Sequence, residues 1–235
     1  AMMGYDWRQY GQLGKYHCDS CGFERPALAM AAHGVELGAD RASFEAVARE
    51  GAEGAEGSAD AVRIATGQAS RYVVYNLLAA WAAAHLMGVP VAAFQQAVDE
   101  FDPQNGRLQR YVVNGHPVLL NLAKNPTGFN QNLKIIAADQ SPKAIAFFLN
   151  AHEGDGRDTS WIWDIDMEEL AGQDVRAAFA GGESCYDMQI RLKYAGLEAE
   201  RTSSIDAVFE ALAAPGCPLP PDATVYAIAN YTALP

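Results

Sequence analysis

The fold of this chain is best indicated by one apolar run, Ala144-Ile-Ala-Phe-Phe-Leu-Asn150, and by the loop that follows it, Asp155-Gly-Arg-Asp-Thr-Ser-Trp-Ile-Trp-Asp164. The run lies between Pro142 and a polar segment, which is typical of a buried strand that ends in a loop. Chemistry gathers at the carboxyl ends of strands in open α/β sheets, and this loop holds three carboxylates, one guanidinium and two indoles. The loop is therefore a candidate functional site. A turn rich in aspartate and glycine that feeds an edge strand is the structural alternative.

Predicted strands and helices alternate on both sides of this run. Helices are expected at residues 128–138, 184–195 and 205–213, with a short one from residue 167, and strands at residues 116–123, 144–150, 161–165, 176–180, 197–201 and 224–230. Ser203 is the expected N-cap of the helix at 205–213, with Asp206 as its acidic partner. This alternation predicts an α/β fold with a mostly parallel sheet covered on both faces.

The residues before the alternating region have a different pattern. A glycine-rich and glutamate-rich loop at residues 50–57 separates two short strands, and helices are expected at residues 72–87 and 91–101. The turn-rich segment Asp102-Pro-Gln-Asn-Gly-Arg107 then breaks the pattern. We therefore predict two domains, at residues 1–104 and 105–235.

Four cysteines bear on metal binding and compartment. Cys18 and Cys21 lie in Tyr16-His-Cys-Asp-Ser-Cys-Gly-Phe23, which is typical of half a zinc ribbon at residues 14–26, because a tight turn points two thiolates at one metal. Structural zinc needs four ligands and no second such pair occurs, so two idle or buried cysteines remain the structural alternative; Arg25-Pro26 argues against a thioredoxin-like redox motif. Nothing indicates a disulfide framework, so we expect a reducing cytoplasm.

Composition excludes some classes of partner. The net charge of −12 argues against non-specific nucleic-acid binding, which needs a basic surface. No apolar run approaches the roughly 20 residues of a membrane span, and no secretory signal pattern occurs, so we expect no transmembrane segment. Ala1 before Met2 is typical of the remnant of an expression tag.

Four segments, in this order and spacing, resemble the Mur ligase superfamily and, more narrowly, its MurT-type subunit of lipid II isoglutaminyl synthase. They are Tyr75-Asn-Leu-Leu-Ala-Ala80, Asn105-Gly-Arg107, Leu122-Ala-Lys-Asn-Pro-Thr-Gly-Phe-Asn-Gln131 and the loop at residues 155–164. The resemblance covers nearly all of the chain. Its most specific parts are Lys124-Asn-Pro126 and Ser160-Trp-Ile-Trp-Asp164.

The resemblance implies a fold and an activity. The fold is a Rossmann-like Mur ligase C-terminal domain, preceded by the tail of the central ATPase domain with its half zinc ribbon. The enzyme uses ATP and Mg²⁺ to activate the α-carboxyl of D-glutamate in the lipid II stem peptide as an acyl phosphate. Ammonia from a GatD-like glutamine amidotransferase subunit then gives D-isoglutamine.

The resemblance also implies site residues. Arg107, Lys124, Asn125 and Asn76 match positions that contact ATP or substrate, and Cys18 with Cys21 would bind zinc. A lysine suits a phosphoryl group as a flexible point charge, and the amides of a helix start suit an anion. A solvent lysine, a linker arginine and a mid-helix polar residue are the structural alternatives.

One loop aspartate is expected to complete the catalytic triad of the glutaminase partner. We favour Asp158, with Asp155 as runner-up, whereas Asp164 is expected to hold the start of the predicted strand. An aspartate that orients a histidine must be fixed and partly buried, so that it holds one tautomer. Trp161 and Trp163 would supply the rigid apolar wall.

The departures from the family pattern limit these expectations. Val73 stands where the family has a second asparagine, and no G-x-x-x-x-G-K-[ST] motif occurs, so the chain alone is expected to be inactive as a ligase. The chain is predicted to be a C-terminal fragment, from a truncation or a split gene, with the first cysteine pair upstream of Met2. The alternative function is a non-catalytic module that docks and completes a glutaminase; a nucleic-acid-binding zinc ribbon is disfavoured by charge.

Overall fold

A computed structural model describes residues 2–9, 13–38, 41–48, 60–68, 70–102, 106–217 and 219–234. The chain divides into two compact units, Ala1–Phe101 and Asp102–Pro235. The predicted loop at residues 50–57 and Asn105 lie outside the described residues. None of the helices in the described ranges is long and apolar enough to cross a membrane.

The first unit packs two helices on a small antiparallel sheet. Its elements are a hairpin of β1 (Gly4–Gln9) and β2 (Leu13–His17), a sheet of β3 (Met30–Leu37), β4 (Ala42–Ala48) and β5 (Asp60–Thr66), and helices α1 (Arg71–Leu86) and α2 (Val91–Asp99). Alternate residues of β4 are buried, as expected for a strand with one covered face. Phe44 meets Ile64, Val74 and Trp81 in the core, and the helices predicted at residues 72–87 and 91–101 are present as α1 and α2.

The second unit is built on a six-stranded sheet. Its strands are β6 (Gln109–Val113), β7 (His116–Leu122), β8 (Lys143–Phe148), β9 (Val175–Gly181), β10 (Glu200–Arg201) and β11 (Thr224–Ala229), in the order β10-β9-β8-β11-β7-β6. All pairs are parallel except β6 with β7. The predicted mostly parallel sheet is therefore confirmed, and β8, the apolar run, lies between β9 and β11.

The antiparallel edge strand β6 was not predicted, although its sequence signal is present. Asn114 and Gly115 join β6 to β7 with φ of 52° and 89°. A two-residue loop with positive φ at both positions matches the right-handed twist of the strands, and Asn-Gly is its usual sequence. The dipeptide in Val112-Val-Asn-Gly-His116 thus identifies this hairpin.

Helices cover both faces of this sheet. They are α3 (Pro126–Ala138), α4 (Cys185–Tyr194) and α5 (Ile205–Leu212), with short 3₁₀ helices at Ser160–Asp164, Met167–Leu170 and Tyr231–Ala233. Ile145 and Phe147 of β8 belong to the core cluster that includes residues of α3 and α4, whereas Ala144 and Ala146 pack in the cluster with α5. Successive residues of a strand point to opposite faces, so β8 is buried on both sides.

Two local predictions were wrong. Residues 161–165 were predicted as a strand, but residues 161–164 belong to the 3₁₀ helix Ser160–Asp164. They cannot pair with β8, because both edges of β8 are already paired with β9 and β11. Ile162 and Ile165, three residues apart, are buried together, which suits a helix of three residues per turn. The N-cap of α5 is Ser204, not Ser203: its Oγ accepts the Ala207 N–H at 3.1 Å.

The first residue of β8 is a fully buried lysine. Lys143 has 0% exposure, and its Nζ has no hydrogen-bond partner among the described residues. Burial raises the pKa of the nearby Asp139 carboxyl, but hydrogen bonds from Ser141 and Tyr226, and to a smaller extent the proximity of Lys143, bring that pKa below its ordinary value. Taking a charge out of water without a hydrogen-bonded partner destabilises the fold.

We expect Lys143→Met to raise the free energy of unfolding by about 1–3 kcal/mol, since it replaces a buried charge by an apolar side chain of similar length. Asp139 would keep its hydrogen bonds from Ser141 and Tyr226. Urea denaturation measures the effect, with Lys134→Met, exposed on α3, as the matched control. A lower midpoint for Lys143→Met than for the wild-type chain would contradict the prediction.

Candidate functional site

The parallel strands of the second unit end at one edge of the sheet. Lys124 follows β7, the loop at residues 150–158 follows β8, and the 3₁₀ helix at Tyr231–Ala233 follows β11. Ser184, which precedes α4, follows β9. Parallel pairing therefore brings Lys124, Asp155 and Asp158 to the same edge, as the position of ligand sites in open α/β sheets predicts.

Two asparagines, the partly buried Asn150 and the buried Asn230, join the ends of β8 and β11. Asn230 is fully buried; its Nδ2 donates to the Asn150 carbonyl at 2.7 Å, and its Oδ1 accepts the Asn150 N–H at 3.0 Å. Asn150 in turn donates to the Thr232 carbonyl at 2.9 Å and accepts the Glu183 N–H at 2.9 Å. This pair was not predicted, because its sequence signal is no more than an asparagine at the end of each of two apolar strands.

Asp155 is held by the residues that follow β11. Its Oδ1 accepts the Tyr231 N–H at 2.8 Å. Its Oδ2 accepts the Thr232 N–H at 2.7 Å and the Thr232 hydroxyl at 2.6 Å. Both carboxylate oxygens are thus occupied within the chain, and the loop is fastened to the C-terminal tail.

Asp158 is exposed and has one oxygen bound within the chain. Its Oδ1 accepts the Ser160 N–H at 2.8 Å, and the hydrogen bonds of Ser160 hold the pKa of Asp158 below its ordinary value. The carboxylate is therefore ionised at neutral pH and accessible. The partial burial expected of a triad aspartate is not provided by this chain.

The two tryptophans of the loop have different environments. The Trp161 ring lies 5.5 Å from that of Phe129 and packs against the core. Trp163 is half exposed, with its ring 5.5 Å from that of Tyr194 and the Arg191 guanidinium over one face at 5.5 Å. Trp161 therefore anchors the loop, whereas Trp163 contributes to the surface.

Arg191 of α4 holds the two 3₁₀ helices after the loop. Its Nε donates to the Ile162 carbonyl at 3.1 Å, and one terminal nitrogen donates to the Ile165 carbonyl. Both terminal nitrogens also bind the Glu168 carboxylate, at 2.9 and 2.8 Å, and this lowers the pKa of Glu168. Sequence reasoning missed this residue, because an arginine on a helix is usually at the surface.

Lys124 and Asn125 have different surroundings. Lys124 is exposed and has no ion pair or hydrogen bond with any described residue. Asn125 is the N-cap of α3: its Oδ1 accepts the Gly128 N–H at 2.8 Å, and Pro126 at the first helical position has no N–H. An anion bound here would thus contact the Lys124 ammonium and the Thr127 N–H. These are fewer donors than the uncapped N-terminus of a helix offers.

Arg107 is exposed on a rigid backbone. Gly106 before it has a φ of +72°, which favours glycine, and a Cβ at Gly106 would lie 2.8 Å from Leu234 Cδ2. The Leu108 N–H donates to Asn121 Oδ1, near the end of β7, at 3.1 Å. The Arg107 segment is therefore fixed beside the same edge of the sheet as Lys124.

Asn76, the remaining predicted nucleotide residue, is exposed on α1 of the first unit. Cys18 and Cys21 also belong to this unit. Cys18 is buried, and hydrogen bonds from the backbone of Ser20 and Cys21 lower the pKa of its thiol. Gly22 follows with a φ of +73°, and its N–H donates to the Cys18 carbonyl at 3.0 Å.

This turn fits half of a zinc site. Backbone N–H groups directed at a cysteine sulfur favour the thiolate, which is the form that binds metal. Cys18 and Cys21 would supply two of four ligands. The ranges that the structure describes contain no group of three or more cysteine, histidine or acidic side chains that could hold a metal ion. Two further ligands would have to come from outside those ranges.

Comparison with known proteins identifies the relatives of this chain. Residues 122–234 match the family model described as MurT ligase C-terminal. The lipid II isoglutaminyl synthase (glutamine-hydrolyzing) subunit MurT of Streptococcus pneumoniae is 30% identical over 238 aligned residues, which cover 100% of this chain and 49% of that protein. The chain thus spans about half the length of the curated relatives it matches.

Solved structures share the fold. A pseudomurein peptide ligase type C from Methanothermus fervidus superposes with a TM-score of 0.65 at 17% identity, over 97% of this chain and 44% of that one. A MurF ligase from Thermotoga maritima, solved in complex with ADP, has a TM-score of 0.57 at 13% identity, over 87% of this chain and 44% of that one. The predicted α/β fold with a mostly parallel sheet is confirmed by these likenesses and by the sheet, whereas the half zinc ribbon stays a prediction.

Proposed function

We propose that this chain, whose residues 122–234 match the family model described as MurT ligase C-terminal, is part of an ATP-dependent amide ligase that acts in peptidoglycan synthesis. The 30% identity to a lipid II isoglutaminyl synthase subunit over the whole chain carries this proposal. The reaction is amidation of the D-glutamate α-carboxyl of lipid II with ammonia from a glutaminase subunit. The predicted division at residues 104 and 105, into the tail of the central ATPase domain and the C-terminal domain, is part of the same proposal.

Lys124 is the group we assign to the phosphate end of this reaction. Transfer of a phosphoryl group from ATP to a carboxylate gathers negative charge, which an exposed ammonium with no partner in the described chain is free to neutralise. Arg107, on its rigid segment near the same sheet edge, would contact ATP or substrate. Asn125 shapes the turn that presents Lys124 by capping α3, and Asn76 is assigned to the nucleotide by resemblance alone.

We expect Lys124→Met to lower kcat/KM for ATP-dependent amide formation by about 10–100-fold, the effect of losing one charged hydrogen bond. The assay uses a complete MurT-type subunit that contains this sequence, together with its glutaminase subunit. Lys134→Met, also exposed, is the control and should keep wild-type activity. Equal activities of the two variants would remove Lys124 from the phosphate site.

Asp158 is assigned to the glutaminase partner. Its carboxylate is ionised and exposed, and its position between the anchored Asp155 and Trp161 limits its movement. We propose that the partner supplies the cysteine and histidine and that Asp158 orients the histidine, with burial provided by the interface. Asp155 stays the runner-up, although both of its oxygens are already bonded.

The second candidate function is a docking module without ligase chemistry. It is favoured by an exposed apolar face on α4, where Tyr186, Ile190 and Tyr194 recur at four-residue spacing and Tyr194 meets Trp163. Asp187 of the same helix accepts a hydrogen bond from Thr159 at 3.2 Å, so this face adjoins Asp158. Aromatic residues are enriched at the energetic centres of protein interfaces.

An experiment that compares the 235-residue chain with a complete MurT-type subunit distinguishes the two functions. No G-x-x-x-x-G-K-[ST] motif occurs in it, so we expect no ATP-dependent amide formation by the chain alone. A docking module would bind the glutaminase subunit and raise its turnover without ATP. If the complete subunit also forms no amide with ATP while this activation persists, the docking function is correct and the ligase proposal is wrong.

A further inference from the structure

The C-terminal tail at residues 230–234 contacts two loops that the sequence keeps far apart. One is the loop after β8 that contains Asp155 and Asp158, and the other is the segment of Arg107 before β6. Both contacts lie within the second unit and near the carboxyl edge of the sheet.

The contact with the first loop is polar. The Asp155 carboxylate accepts three hydrogen bonds of 2.6–2.8 Å from Tyr231 and Thr232. The Asn150 side chain adds a fourth, to the Thr232 carbonyl at 2.9 Å. Hydrogen bonds to a charged acceptor are stronger than neutral ones, so this carboxylate is the main fastening of the loop.

The contact with the second loop is apolar. Leu234 lies against Gly106, which is buried and has no room for a Cβ. The tail reaches this position because the N–H groups of Ala233 and Leu234 both donate to the Asn230 carbonyl, which makes one short helical turn. Asn230 itself is fully buried in the sheet edge. The tail is thus a rigid bridge from Asp155 to the residue before Arg107.

We infer that Asp155 is a positioning residue that acts through the C-terminal tail on both loops. Its carboxylate holds the Asp158 loop, and the bonded tail seats the Arg107 segment through Leu234. Loss of the carboxylate therefore loosens both loops, although only one of them touches it. The consequence for catalysis rests on the proposed function, whereas the mechanical linkage does not.

Hydrogen–deuterium exchange on the 235-residue chain tests the linkage. Asp155→Asn removes one acceptor and places an amide NH₂ against either the Tyr231 N–H or the two Thr232 donors. We expect exchange to rise about tenfold or more at residues 152–160 and 231–234, and also at residues 106–109. An increase confined to residues 152–160 would overturn the linkage, as would no increase at all.

Thr232 and Leu234 provide matched variants. Thr232→Ser keeps the hydroxyl and should exchange as the wild-type chain, whereas Thr232→Val should raise exchange in all three segments by a smaller factor. Leu234→Ala should raise exchange at residues 106–109. If Asp155→Asn raises exchange in every strand, that variant has unfolded globally. The test then rests on the comparison of Thr232→Ser with Thr232→Val. Equal exchange in these two variants rejects the inference.

Measurements on the complete enzyme distinguish failure of this inference from failure of the proposed function. In the complete two-subunit enzyme, Asp155→Asn and Leu234→Ala should each raise the KM for ATP, while Thr232→Ser should not. If Lys124→Met and Asp158→Asn leave all activities unchanged but the exchange pattern is as expected, the proposed function fails and the linkage stands. If those two variants act as expected but Asp155→Asn leaves residues 106–109 unchanged, the linkage alone fails.

Discussion

Arg191→Ala is expected to lower the free energy of unfolding by about 3–5 kcal/mol, because it removes two buried hydrogen bonds from a charged donor, worth about 1.5–3 kcal/mol each. The two carbonyls that accept them keep one backbone partner each, the N–H of Ile165 and the N–H of Met167. Arg191 is 3% exposed and donates to the carbonyls of Ile162 and Ile165, both of which are buried. Few other hydrogen bonds hold the 3₁₀ helix at Ser160–Asp164, so we expect this helix to separate from α4 in the variant. Urea denaturation measures the loss of stability.

Matched variants identify the cause. Lys193→Ala, on the exposed side of α4, should change stability by less than about 0.5 kcal/mol. Glu168→Gln should cost less than about 1 kcal/mol, because that carboxylate is mostly exposed and the ion pair is screened by solvent. If Arg191→Ala costs no more than Glu168→Gln, the carbonyl contacts contribute little and the prediction is wrong.

The Glu168 ion pair also has a pH signature. The guanidinium of Arg191 lowers the pKa of Glu168 in the folded chain. Stability from a depressed carboxyl pKa is present above the unfolded pKa, about 4.3, and is lost as the pH falls through the folded pKa. We therefore expect the stability difference between wild type and Glu168→Gln to close below about pH 4. A difference that grows on acidification would contradict this sign.

Asp158→Asn is expected to lower the kcat of the glutaminase partner by about 10³–10⁴-fold, the effect of losing the residue that orients a catalytic histidine. The amide keeps the shape of the side chain but cannot stabilise an imidazolium. Because Asp158 is exposed in this chain, we expect no change in its stability. The assay measures glutamate release from glutamine by the assembled complex, together with the affinity between the subunits.

The control for this variant is Asp164→Asn, a second exposed aspartate of the same loop. It should leave glutamine turnover and subunit affinity unchanged. A drop in turnover with unchanged affinity supports the triad role, whereas weaker affinity with normal turnover assigns Asp158 to docking only. If Asp158→Asn keeps full turnover and affinity, the assignment to the triad is wrong.

Hydrophobic periodicity predicted most of the second unit, because the pattern of apolar residues along a short segment indicates which of them are buried. The run at residues 144–150 became β8, buried on both faces, and the helices at 128–138 and 184–195 were correct to within two residues at each end. The segment at residues 161–165 was predicted wrongly for a non-local reason. A strand needs a free sheet edge, and whether one remains beside β8 depends on β9 and β11.

The candidate site was predicted in part. The sequence identified Lys124, Asn125 and the loop of Asp155 and Asp158, since residues after apolar strands lie at the functional edge of such sheets. It missed Asn230 and Arg191, whose partners lie 80 and up to 29 residues away along the chain. Contacts at such separations leave no local pattern.

The sequence by itself determined the α/β class, the match of residues 122–234 to a family model and the loops that carry charge, because each of these follows from residue types at short spacing. Only the tertiary structure decided what each charged side chain is free to do. Asp155 and Asp158 are three residues apart and look alike in the sequence, yet one is bonded on both oxygens by the C-terminal tail and the other is open to solvent. The donors to Asp155 lie 76 and 77 residues away along the chain, and only folding brings them to this carboxylate.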